Sequence, residues 1–92
     1  MPKAIINASA VVGMGVIVNS GAIVEHDCLV GDYAHVSPNS SMGAQARVGA
    51  RAQLGIGAVL LPRCSVGDGT IIGGGATVTR DIRGGVVAGG TT

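Results

Sequence analysis

An apolar residue recurs at every sixth position of this chain: Ile6, Val12, Val18, Val24, Val30, Val36, Met42, Val48, Leu54, Leu60, Val66, Ile72 and Val78. No insertion displaces any of the thirteen. Two places before each lies a small or modest residue, among them Ala22, Cys28, Ala34, Ala46 and Cys64. A period of six matches neither an amphipathic helix, with period 3.6, nor a long alternating strand, with period two. It matches strands of a few residues separated by corners and wound into a parallel β-helix of hexapeptide repeats. Three hexads per triangular coil give 18 residues per coil and a little over four coils. The expected organisation is a single β-helix domain over 1–92, with the repeat over about 4–82 and a C-terminal cap or tail over 83–92.

Composition agrees with a thin, regular core. Aliphatic and other apolar residues make up 47% of the chain, yet Tyr33 is its only aromatic. The 17 glycines would suggest disorder if scattered. Instead Gly13, Gly31, Gly43, Gly49, Gly55, Gly67 and Gly73 each follow a repeat aliphatic directly, the mark of a corner that a Cβ would crowd. A net charge of +1 with no basic run and no aromatic series argues against nucleic acid as a partner. The apolar runs are too short and too glycine-broken to span a bilayer, so a cytoplasmic protein without a membrane partner is expected.

Cys28 and Cys64 share one phase of the repeat, 36 residues or two coils apart. At ~4.8 Å per strand spacing that is roughly 10 Å, beyond the ~7 Å between Cα atoms that a disulfide tolerates. Both are read as reduced core fillers. The residues just before the inward aliphatics point outward. In the first half these are Ile5, Val11, Ile17, Ile23 and Leu29, all apolar, whereas His35, Ser41, Arg47 and Gln53 follow. An exposed apolar set of this size marks a subunit interface. For a triangular prism the simplest assembly is a homotrimer.

Few residues can carry chemistry. His26 falls at a corner, and the residues 18 away in its column, Ala8, Ala44 and Pro62, leave it unobstructed. Glu25 and Asp27 flank it. A histidine held by a carboxylate can act as a general base, because the carboxylate fixes the tautomer and favours the charged form; spacing alone favours a solvated surface histidine. His35 lies half a coil further on at an outward phase, so it meets His26 only across a subunit boundary or through a shared ligand. Two histidines with no CxxC do not make a closed metal site, and no metal is expected. The glycine clusters form no GxGxxG fingerprint, and no nucleophile elbow is present. Arg47, Arg51, Arg63, Arg80 and Arg83 offer cations that can either meet phosphates or stand as solvated corners.

The blocks Val18-Asn19-Ser20-Gly21, Ile23-Val24-Glu25-His26-Asp27-Cys28, Tyr33-Ala34-His35-Val36-Ser37-Pro38, Leu54-Gly55-Ile56-Gly57 and Ile72-Gly73-Gly74-Gly75-Ala76-Thr77 resemble the hexapeptide-repeat sugar acetyltransferases. The nearest likeness is to the C-terminal half of the bacterial nucleotide-sugar N-acetyltransferases of bacillosamine and perosamine synthesis and of the sialic acid O-acetyltransferases. It runs from about Ile5 to Asp81. The resemblance implies a left-handed winding, against the general right-handed crossover rule, and a homotrimer with acetyl-CoA as co-substrate between adjacent prisms. It implies His26 as the base that deprotonates a sugar or nucleotide-sugar acceptor and Asp27 as the acid that raises its basicity. It further implies His35 at the thioester, Ala44, Ile56 and Gly74 along the pantetheine, and Asn19 near the reacting groups. That family carries an N-terminal dinucleotide-fold domain and a Gly-x-Pro-Ala-Lys ending. Here the corresponding ending reads Gly85-Val86-Val87-Ala88-Gly89-Gly90. The resemblance therefore leaves two expectations: an acetyltransferase for an amino or hydroxyl group, or a non-catalytic trimeric module or fragment without an acceptor-binding domain.

Overall fold

The computed structural model describes residues 4–90 and is all-β, a left-handed parallel β-helix of hexapeptide repeats. Fourteen two-residue strands lie on three faces. The first face stacks β1 (Ile5–Ile6), β4 (Ile23–Val24), β7 (Ser41–Met42), β10 (Val59–Leu60) and β13 (Thr77–Val78). The second stacks β2 (Val11–Val12), β5 (Leu29–Val30), β8 (Arg47–Val48) and β11 (Ser65–Val66). The third stacks β3 (Ile17–Val18), β6 (His35–Val36), β9 (Gln53–Leu54), β12 (Ile71–Ile72) and β14 (Val87–Ala88). Every pairing is parallel and most join residues one 18-residue coil apart, as Ile5 joins Ile23 and Leu29 joins Arg47.

The second residue of each strand points inward. Val24, Val36, Met42, Leu54, Ile72 and Val78 are wholly buried, as are the small residues two places before several of them, such as Ala22, Ala46, Ala52 and Ala58. Two members of that small column are polar, and each has its hydroxyl satisfied by a backbone carbonyl. Ser40 Oγ donates to Ser37 O at 2.6 Å, and Thr70 Oγ1 donates to Arg83 O at 2.8 Å. The first coil differs from its repeats. Ile6 is half exposed, and Val12 and Val18 are only partly covered, because no described residue forms a rung below them.

The corners explain both glycine and its absence. A Cβ on Gly55 would lie 2.5 Å from Gly74 N, and one on Gly31 would lie 2.5 Å from Ala50 N. Backbone packs against backbone there, and a side chain has no room to shift into. From Ile6 to Ile72, the third residue after each inward aliphatic takes a positive φ. Gly57 and Gly75 occupy that place in some coils, but Asp27 (φ 61), Gln45 (φ 63) and Arg63 (φ 65) occupy it in others.

The winding continues past the repeat counted in the sequence. The segment read as a cap or tail holds β14, and Ile82 bridges Val66. The third face therefore gains a fifth rung beyond the thirteen strands of the hexad count. Its last turn is two residues shorter. Val66 meets Ile82 and Ile71 meets Val87, both 16 apart, so the six-residue count from Val78 lands on Gly84 and misses the inward Ile82. The reading of the lead-in at Met1–Lys3, and of Thr91 and Thr92 within the tail, lies outside the described residues.

Cys28 and Cys64 are both buried and free. Cys28 Sγ donates to Gly43 O at 3.1 Å. Burial pushes both thiols above their ordinary value of 9.0, since a thiolate would lose its hydration. Their neutral forms thus contribute stability that is complete below pH 9 and fades as pH climbs through the raised folded values. Mass spectrometry of unreduced protein should find two free thiols per chain. A thiol reagent at pH 8 should label them slowly in the native state and at once in denaturant; prompt native labelling would contradict the buried placement.

Candidate functional site

Corners are where this fold releases side chains from the core, and the first candidate pair stands at one. The turn from β4 to β5 carries His26 and Asp27, both exposed. Their backbone is fixed by the neighbouring rungs: Asp27 N donates to Ala8 O at 3.2 Å, and Gln45 N donates to His26 O at 3.0 Å. The positive φ of Asp27 turns its carboxylate back to the preceding side chain, leaving His26 Nδ1 and Asp27 Oδ2 3.0 Å apart. Asp is among the few L-residues that enter this region readily. With Nδ1–H donating to the carboxylate, the lone pair resides on Nε2. More than half of the His26 side chain's surface, 57%, faces solvent, which leaves room for an acceptor.

Sequence left two acids beside His26, and the structure distinguishes them. Glu25 accepts a hydrogen bond from Asn7 Nδ2 at 2.9 Å, one coil below, whereas Asp27 meets the ring.

The second pair is His35 and Asn19. His35 projects outward from β6, half buried, and Asn19 follows β3 directly beneath it. Asn19 Nδ2 lies 2.6 Å from His35 Nε2. With the amide donating, Nε2 is the acceptor and the ring proton resides on Nδ1. Sequence reasoning did not pair these two residues, although the signal was present. His35 is one coil above Ile17, so Asn19, two places on, falls within reach of it.

The remaining candidates sort by column. Ala44 stands one coil above His26 in the turn from the first face to the second. Ile56 and Gly74 stand in the turn from the third face to the first, above Pro38. Ile56 is 64% exposed and Gly74 bears no side chain, so together they form an apolar shelf open to solvent. Within one chain the structure joins His26 to Asp27 and His35 to Asn19, but it does not bring the two pairs together. Among the described residues no group of three or more His, Cys, Asp or Glu side chains can hold a metal ion. Beside Asp27 runs a groove of about 470 Å³ lined by Asp27, Leu29, Gln45, Arg47, Arg63 and Ser65.

The bacterial transferase hexapeptide (six repeats) family profile matches residues 45–80. The Caulobacter crescentus PerB structure, solved with CoA and GDP-perosamine, superposes with a TM-score of 0.84 at 34% identity. That match covers 97% of this chain and 52% of PerB. The acetyltransferase domain of PglB from Neisseria gonorrhoeae matches at 30% identity with a TM-score of 0.77, covering 95% of this chain and 52% of that one. The chain is a hexapeptide-repeat β-helix similar over nearly its whole length to these two structures. Serine acetyltransferase from N. gonorrhoeae shares the hexapeptide β-helix fold, with a TM-score of 0.79 at 18% identity over 86% of this chain and 36% of that enzyme. No curated protein sequence matches the chain. The hexapeptide β-helix spans about half the length of PerB and of the PglB domain.

Asp27 thus has a backbone duty as well as a chemical one, and substitution can separate them. Asp27→Asn should keep the corner, with an unfolding free energy within about 0.5 kcal/mol of wild type, because Asn also tolerates positive φ. Asp27→Val should lose ~1–2 kcal/mol in denaturant titration, the usual strain of a left-handed L-residue. Equal stability of the two variants would show that the φ of 61° is not imposed by the stack.

Proposed function

We propose that this β-helix is the catalytic part of an acetyl-CoA-dependent acetyltransferase that acylates an amino or hydroxyl group of a sugar or nucleotide sugar. In this reading it works as a cytoplasmic homotrimer, and two buried, unpaired cysteines suit a reducing compartment. The observation that carries the proposal is the His26–Asp27 contact of 3.0 Å at an exposed corner, on a fold similar to PerB, which was solved with CoA and GDP-perosamine.

The chemistry follows from that contact. His26 Nε2 takes the proton from the acceptor nitrogen or oxygen as that atom attacks the acetyl carbonyl carbon. The ring becomes imidazolium, and Asp27 stabilises its charge through Nδ1–H. The proton then passes from Nε2 to the sulfur that leaves as the C–S bond breaks, which restores the neutral base. No nucleophile on the protein is needed, so transfer is direct and depends on holding both substrates together. The apolar shelf of Ile56 and Gly74 suits an apolar arm such as pantetheine, and Ala44 leaves space above His26. His35, oriented by Asn19, would meet the thioester. Because His26 stands at the corner between the first and second faces and His35 on the third face, the complete site needs His26 of one subunit and His35 of its neighbour.

The outward aliphatics supply a reason for subunits to meet. Ile5, Val11, Ile17 and Leu29 are 41% to 59% exposed and lie on the lower rungs of all three faces. Light scattering should report close to three times 8.9 kDa. Ile23→Asp should dissociate the assembly, since an unpaired charge buried at an interface is strongly unfavourable. A folded wild-type monomer at micromolar concentration would overturn the trimer.

The shared site has its own test. His26→Ala should lower kcat by ~10²–10⁴, the usual worth of a general base, with acetyl-CoA binding nearly intact. His35→Ala should weaken acetyl-CoA binding instead. Mixing the two variants and letting subunits exchange should restore partial activity, because some interfaces would then hold both histidines. No recovery from an exchanged mixture would refute the shared site, and unchanged transfer in both variants would remove the catalytic assignment.

A further inference from the structure

All five carboxylates of the chain have partners, and none of those partners is an arginine. Glu25 receives Asn7, Asp27 holds His26, and Asp32, Asp68 and Asp81 accept the backbone N–H of Met14, Ala50 and Ser65. Arg47 and Arg63 therefore face one groove without an ion-pair partner, and the one carboxylate lining that groove, Asp27, is held by His26 in the only ion pair among the described residues. The stack fixes how they meet. Asp27, Gln45 and Arg63 form one column at 18-residue intervals, while Leu29, Arg47 and Ser65 form the column beside it. At ~4.8 Å per rung, Arg63 stands roughly 10 Å above Asp27, and Arg47 stands between the two levels on the adjoining face.

We infer that Arg47 and Arg63 form a clamp for a phosphate or pyrophosphate group of the ligand that reacts at the His26 corner. Guanidinium groups present planar N–H pairs that match phosphate oxygens. Two of them on adjacent columns suit a pyrophosphate better than a carboxylate, which one arginine can satisfy alone. Gln45, between Asp27 and Arg63 in the corner column, offers an amide N–H to the same group. Both substrates of the proposed reaction can carry this chemistry, because CoA and a nucleoside-diphosphate sugar each contain a pyrophosphate. The inference rests on that reading for the ligand's source but not for the anion site itself.

Inorganic pyrophosphate is the direct probe, titrated calorimetrically into the full chain at low salt, where screening is weak. Wild type should bind it, and the double variant R47Q/R63Q should bind it about tenfold more weakly or worse. Glutamine suits both backbones: Gln45 already occupies the column of Arg63 at φ 63, and Gln53 occupies the outward strand phase of Arg47. R47K/R63K, which keeps the charge, should retain most of the binding and serves as a folded reference. Absence of binding by wild type, or equal binding by R47Q/R63Q, overturns the clamp.

Kinetic arms then identify the source. If the phosphates are those of CoA, R47Q/R63Q should raise KM for acetyl-CoA about tenfold and leave KM for S-acetyl-pantetheine, which lacks them, unchanged. If they belong to the acceptor, KM should rise for the nucleoside-diphosphate amino sugar and not for the same amino sugar without its nucleotide. A wild type that transfers acetyl while R47Q/R63Q alters neither KM refutes the clamp and leaves the acetyltransferase reading standing. Pyrophosphate binding lost in R47Q/R63Q, in a wild type that transfers no acetyl group, supports the clamp and refutes that reading.

Discussion

Along its strands each coil donates backbone N–H groups to the carbonyls of the coil above, as Leu29 N to Ala46 O at 3.1 Å and His35 N to Ala52 O at 2.9 Å, while corner N–H groups such as that of Asp27 donate to the coil below. Every side-chain position in the molecule depends on this ladder. A shift of one residue in any coil would exchange the inward and outward faces of its strands, burying Arg47 and exposing Val48. The thin aliphatic core has no large aromatic to anchor a register, so the ladder and the repeat must agree in every coil. The glycines that follow the inward aliphatics serve that agreement. At Gly31, Gly49 and Gly55 the backbone of the next coil approaches so closely that even a methyl group would push the rungs apart.

The same ladder builds the candidate site. A corner must turn the chain through a positive φ, and in most L-residues that conformation carries strain. Where glycine occupies the position, as at Gly57 and Gly75, the corner offers no side chain there. Where Asp27 occupies it, the strained residue turns its carboxylate onto His26. The conformation required by the winding is thus the one that orients the His26 ring. Gln45 and Arg63 hold the same place in the next two coils, so the column beside the base carries polar and cationic groups at fixed spacing. A solenoid in this way converts a sequence interval of 18 into a spatial interval of one rung, and a functional groove becomes a set of residues at that interval.

The hexad determined a great deal before any coordinates. It gave the parallel β-helix, the buried column from Val24 to Val78, the reduced state of Cys28 and Cys64, and the corner placement of His26. These follow because a repeat of fixed length lets one coil stand for all, so local pattern and global geometry coincide. The repeat did not give the last turn. Val78 to Ile82 spans four residues rather than six, and a periodic count cannot see that a shortened corner still returns Ile82 and Ala88 to the core and adds β14. Nor did it give the end effect at Ile6, which shares the phase of Val24 but has no described rung beneath it.

What tertiary structure alone decided was partnership between side chains. Spacing placed both Glu25 and Asp27 beside His26, and only the family resemblance singled out Asp27. The physical ground for Asp27 is its contact with the ring from a left-handed backbone, while Asn7, 18 residues away from Glu25, engages that other acid. The Asn19–His35 contact and the engagement of all five acids away from Arg47 and Arg63 are likewise matters of stacking between coils. The physical reason is common to all three. A residue's phase in the hexad sets the direction of its side chain, whereas its partner is set by what stands one rung above or below, and that becomes fixed only when the coils close upon one another.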